Sequence, residues 1–196
     1  DIIQEEADSN YQLISGLSDE VSNEDGLFQT TKARLPWLLI GLLGGVLTST
    51  VISENESEIT LIPQIVFFIP LIAAMGGNVG VQSSAIVVQA LANSTLQKNI
   101  WQRLARELGV GLFNGLICSL VIVGYSWAIG QGLLFATAVG SSLLAVVLFA
   151  SLFGTAIPWI LNKYNIDPAL ATGPFITTTN DVLGLSIYFA IANALL

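Results

Sequence analysis

The sequence predicts an all-α, polytopic membrane protein with five transmembrane helices per subunit, and three observations carry that prediction. Of the 196 residues, 53% are hydrophobic and only 10% are charged. Residues 35–53, 59–97 and 108–162 carry no charge, and residues 168–196 carry only Asp181. Each stretch reaches the roughly 20-residue length that crosses a bilayer. The 6 basic residues, moreover, all fall where a five-span count puts them on one side of the membrane.

The elements follow in order. Residues 1–33 form an acidic segment, with all of its acids ahead of Gly26 and no base until Lys32. The segment holds almost the whole net charge of -8 and reads equally as a solvated cytosolic stretch or as a cation-sensing one. A start at Asp1, without Met or a signal sequence, is expected of a piece of a longer protein. The transmembrane region is expected over residues 34–196. Span one, 35–53, follows Lys32 and Arg34 and leads into an acidic loop of Glu54, Glu56 and Glu58. Span two covers 62–92, and Lys98, Arg103 and Arg106 connect it to span three, 105–129. The stretch 108–162 is long enough for two helices, and Gly130-Gln131-Gly132 supplies the turn before span four, 132–161. Lys163 then links span four to span five, 169–196.

Because cytoplasmic loops are enriched in Lys and Arg, this distribution places the N-terminus inside and the C-terminus outside a cell (plasma or inner) membrane. The lipid bilayer is therefore a partner. So few bases on so acidic a chain exclude a nucleic-acid partner. Cys118 stands alone in span three, so no disulfide framework exists and the residue reads as a small core side chain.

Polar residues inside the spans carry the functional information. A carboxylate at membrane depth costs roughly 2.5–3.5 kcal/mol on insertion scales, so acids there face a watery path, a counter-ion or a cation. Asp181 has no second charge in its span. Span two contains Met75-Gly76-Gly77-Asn78-Val79-Gly80-Val81-Gln82-Ser83-Ser84. Gly76 and Gly80 form a GxxxG pair that lets helix backbones approach. Asn78 and Gln82, at i and i+4, share a face and need partners or water; for Asn78 both pore lining and interhelical hydrogen bonding are open. In span three Glu107, Gly111 and Asn114 share a face, and Glu107 reads either as an interfacial partner of Arg103 or as part of a cytoplasmic mouth. In span five Thr177, Asp181, Gly184 and Tyr188 line one stripe. Pro174, lacking an amide hydrogen, is expected to free a carbonyl of the preceding turn.

The donor inventory limits the ion. With no His, 1 Cys and 1 Met, soft-metal sites cannot be assembled. Oxygen donors abound in Asp181, Asn78, Thr177 to Thr179 and backbone carbonyls. Mg2+ suits them because it keeps much of its water and can be held by one or two carboxylates. Mn2+, Co2+ and Ca2+ remain open. Without His or a paired-acid or serine–base constellation, the chain lacks the parts of a hydrolytic enzyme.

These residues resemble the MgtE family of magnesium channels and transporters, related to the SLC41 carriers. The resemblance covers nearly the whole chain. It rests on Arg34-Leu35-Pro36-Trp37-Leu38, on Gly76-Gly77-Asn78-Val79-Gly80-Val81-Gln82-Ser83-Ser84, on Arg106-Glu107 with the glycines after it, and on Pro174-Phe175 through Asp181 to Gly184-Leu185. It implies a homodimer around one central pore that passes hydrated Mg2+. The main ion site would be Asp181, helped by a backbone carbonyl near Thr177 and by Asn78. A two-fold axis also makes electrostatic sense, since two copies of Asp181 supply the two charges that a divalent ion needs. Gln82, Glu107, Asn114 and Gly184 are further candidates for pore lining or the cytoplasmic mouth. The family's cytosolic regulatory domains would precede this chain. Residues 1–33 resemble the end of the plug-like connecting segment, with Glu5, Glu6 and Asp8 attracting cations. A sodium- or proton-coupled divalent cation carrier would use the same carboxylate and is the alternative.

Overall fold

A computed structural model describes residues 26–93, 100–171 and 173–196. The acidic segment ahead of Gly26, with Glu5, Glu6 and Asp8, lies outside the described residues, as does Lys98. Every described element is helical. Helix α1 is Leu27–Glu54, the short α2 is Glu56–Leu61, α3 is Ile69–Ala92, α4 is Ile100–Ala128, α5 is Leu133–Lys163 and α6 is Pro174–Leu195. Five segments are long and apolar enough to cross a membrane: α1, α3 together with the 3-10 turn that precedes it, α4, α5 and α6.

Local sequence sets the boundaries. Helix α1 begins ahead of its apolar stretch and runs through Pro36, with Lys32 and Arg34 riding on its first turns. The acidic loop after it is itself structured, as α2 and a 3-10 turn, Pro63–Phe68. There the Ser57 hydroxyl donates to Glu58 at 2.7 Å and holds that carboxyl below its ordinary range. The turn expected at Gly130-Gln131-Gly132 joins α4 to α5, with φ of 83° at both glycines, a conformation that costs a residue without a Cβ nothing. Another positive φ, 58° at Gly173, lets the chain leave the 3-10 turn Pro168–Ala171 and enter α6.

Helix α5 is the centre of the bundle. It packs on α4, α3 and α6, while α6 also packs on α3 and α1. Helices α1 and α4 therefore occupy opposite edges. Lipid cannot drive apolar helices together as water does, so close van der Waals fit must, and small residues supply it. Gly80 of α3 is wedged against Asn180 of α6, and Gly154 of α5 lies against the Gly80 carbonyl. Gly111 and Gly115 of α4 face Ser151, Leu144 and Val147 of α5. On α1 the buried residues are Ala33, Trp37 and Gly44, and Gly44 sits directly on Thr178 of α6. One end of the bundle is closed by aromatic packing. The Phe68 and Phe135 rings lie 5.6 Å apart, and the buried Tyr188 hydroxyl donates to the Ile65 carbonyl at 3.0 Å.

Candidate functional site

Helix α3 is packed on one side and open on the other. Gly76, Gly77, Gly80, Ser83 and Ser84 are buried, whereas Ala74, Asn78, Gln82, Ile86 and Gln89 are exposed. The exposed set follows i, i+4 spacing with a last step of i+3, and so forms one continuous face. Both amides singled out in the sequence, Asn78 and Gln82, lie on it.

Asp181 borders this face. Its Oδ1 would be 3.7 Å from a methyl group placed on Gly77, and Thr177 Cγ2 would be 3.4 Å from the same point. The absence of a side chain at Gly77 thus brings the α3 backbone up to the carboxylate, and the sequence places Asn78 next along α3. Asp181 and Thr177 are half-buried. The Thr177 hydroxyl is committed to its own helix, donating to the carbonyls of Gly173 and Pro174, both at 3.1 Å.

Pro174 begins a helix. It stands in the first turn of α6, where an amide hydrogen would have no intrahelical acceptor in any case. The Gly173 carbonyl just ahead of it accepts the Thr177 amide at 3.1 Å. The stripe read from span five also divides: Thr177 and Asp181 are half-buried beside α3, while Gly184 and Tyr188 are buried inside the bundle. Gly184 faces Val146 of α5.

Glu107, Gln82 and Asn114 come together in a second place. They line a cavity of about 220 Å³ between α3, α4 and α5, with Val79, Ser83 and Ser151. Glu107 is only 7% exposed. Its Oε1 accepts a hydrogen bond from Ser83 at 2.6 Å, and its Oε2 stands 3.8 Å from Arg103 Nη2. Both readings of Glu107 thus find a geometric basis, a tie to Arg103 and a place in a polar recess.

Sequence reasoning passed over two residues. Ser83 was quoted only as part of a glycine-rich run, although a hydroxyl one turn from an intramembrane acid's height is a natural donor. Asn180 is 1% exposed, and neither amide atom has a hydrogen-bond partner among the described residues. The rule applied to Asn78, that an amide in an apolar span needs a reason, would have found Asn180 as well. Among the described residues no three His, Cys, Asp or Glu side chains converge on one point.

The fold and this site define a class: a five-span helical membrane protein with a half-buried carboxylate at the border of an open polar helix face. Residues 69–191 match the family model described as MgtE, divalent cation transporter. The chain belongs to the MgtE family. It is 35% identical over 195 residues to a protein of Bacillus subtilis named magnesium transporter MgtE, covering 99% of this chain and 43% of that protein. A Thermus thermophilus protein of the same name is 36% identical over 199 residues, covering 100% of this chain and 44% of that protein. A third so named, from Enterococcus faecalis, is 35% identical over 194 residues, covering 98% of this chain and 43% of its own length. The chain spans less than half the length of these curated relatives.

Proposed function

We propose that this chain is the membrane pore unit of a magnesium transporter, working as a homodimer that passes hydrated Mg2+ with Asp181 as its main ion site. The observation that carries the reading is the position of Asp181: a carboxylate in an apolar span, brought against the glycine backbone of α3 at the border of the exposed face bearing Asn78 and Gln82. An open amide face in a membrane helix needs water or a partner, and a second copy across a two-fold axis can enclose a watery path along it. Two carboxylates then meet the charge of one divalent ion. The backbone near Thr177 and the Asn78 amide add neutral oxygens. Mg2+ would stay hydrated, because a site with one acid per chain suits outer-sphere binding. Regulatory domains of a longer parent would lie on the side of the N-terminal segment, where Glu5, Glu6 and Asp8 would attract cations, and the membrane would be the cell membrane with the N-terminus cytoplasmic.

The test is Mg2+ uptake by proteoliposomes holding the 196-residue chain, under an imposed voltage and with or without a sodium or proton gradient. Uptake driven by voltage alone, little affected by potassium and blocked by cobalt hexammine, is the expected result. Uptake that requires a sodium or proton gradient identifies a coupled carrier. Potassium currents indifferent to added Mg2+ overturn the magnesium reading.

A further inference from the structure

We propose that Glu107, Ser83, Gln82 and Asn114 form a second cation station, separate from Asp181, whose resident counter-ion is Arg103. The inference rests on the pore reading for its role in transport but not for its binding chemistry.

Four observations meet at the Glu107 cavity. First, it has room for a hydrated ion: a water needs only about 10–15 Å³ of space open to its centre, and the cavity offers about 220 Å³ of such space. Second, its polar lining is of the right kind. A carboxylate, two amides and two hydroxyls, from Glu107, Gln82, Asn114, Ser83 and Ser151, are hard oxygen groups that can accept hydrogen bonds from a metal-bound water shell. Third, the carboxylate is oriented. The Ser83 hydroxyl fixes Oε1 at 2.6 Å and so points Glu107 from α4 toward α3, two helices that otherwise pack weakly.

The fourth observation concerns Arg103. Its Nη2 lies 3.8 Å from Glu107 Oε2, too long for a hydrogen bond, and its Nε is buried with no hydrogen-bond partner among the described residues. A guanidinium bound for structure grips a carboxylate by two short parallel bonds. Here the contact is long and one donor is unused. The pair neutralises a buried acid without satisfying it, and a divalent ion entering the cavity outcompetes it by carrying twice the charge.

Gln82 ties the two sites together. It lies on the exposed α3 face next to Asn78 and also lines the Glu107 cavity. Ser83 is further along α3 than Gly77, the residue beside Asp181, by roughly 9 Å at 1.5 Å per residue. An ion leaving Asp181 toward the Arg103 end of the bundle therefore meets Glu107 next. Two stations in series allow one ion to promote the departure of another, which a single tight site does not.

The experiment measures Mn2+ binding to the detergent-solubilised 196-residue chain by electron paramagnetic resonance, in the Asp181→Asn background so that the first site is removed. Residual Mn2+ binding is expected. It should weaken about tenfold or more on adding Glu107→Gln, which keeps the Ser83 contact and removes the charge, and tighten about tenfold on adding Arg103→Gln, which removes the competitor. The same single substitutions in the parent should shift the Mg2+ concentration for half-maximal uptake in opposite directions. A structural tie predicts something else: both substitutions lower thermal stability and shift binding the same way or not at all. That outcome, or no Mn2+ binding beyond Asp181, overturns the station. Failure of the Asp181 reading shows separately, as Asp181→Asn protein that still transports at the parent rate.

Discussion

Gly154 of α5 lies so close to the Gly80 carbonyl of α3 that a methyl group on Gly154 would overlap it. Both partners in this contact are main chain, so neither can rotate away. Gly154→Ala should therefore push α3 and α5 apart and cost about 1–3 kcal/mol, the usual range for overpacking. Thermal unfolding in detergent checks this. Gly124→Ala is the control, because nothing lies within 4 Å of a methyl group there, and it should hold or slightly raise the midpoint, since Ala suits a helix interior better than Gly.

Asp181→Asn should abolish Mg2+ uptake while leaving a folded protein. The substitution keeps the volume and lets the group still bond water, but two neutral amides cannot offset a divalent charge in a constricted, poorly polarisable passage. Uptake into proteoliposomes and elution on size exclusion read the two halves. Asn78→Ala should weaken binding or selectivity less, since it removes only a neutral donor.

Tyr188→Phe should destabilise the bundle by about 0.5–1.5 kcal/mol, because it removes the buried 3.0 Å bond to Ile65 O. The expected reading is a lowered unfolding midpoint with ion affinity unchanged, since Tyr188 lies in the aromatic end of the bundle and not beside Asp181.

Orientation can be read with cysteine labels once Cys118 is replaced by Ser. A cysteine at Glu56 should react with a membrane-impermeant maleimide from outside intact cells, and one at Lys98 only after the cytoplasm is opened. The opposite pattern inverts the topology drawn from the basic residues.

Much of the fold was legible because membrane spans advertise themselves locally. Length and apolarity mark each helix, and two glycines mark the α4–α5 turn. Gly76 and Gly80 were read as packing residues, and both are buried in helix seams. The pairings across the bundle were not legible. Nothing in a linear pattern says that Gly44 meets Thr178 or that Ser83 meets Glu107, because those contacts join helices distant in sequence. The start of the last helix at Pro174 was not legible for a related reason: whether proline interrupts a helix or begins one depends on a boundary that a uniformly apolar run conceals.

Helix α1 touches the remainder of the bundle chiefly through α6, and its tightest point of contact is Gly44 on Thr178, less than one turn ahead of Asp181. Its buried residues, Ala33, Trp37 and Gly44, are spread along its length rather than gathered at one point. Because α1 packs chiefly on α6, a displacement of its basic end, near Lys32 and Arg34, meets first the helix that carries Asp181.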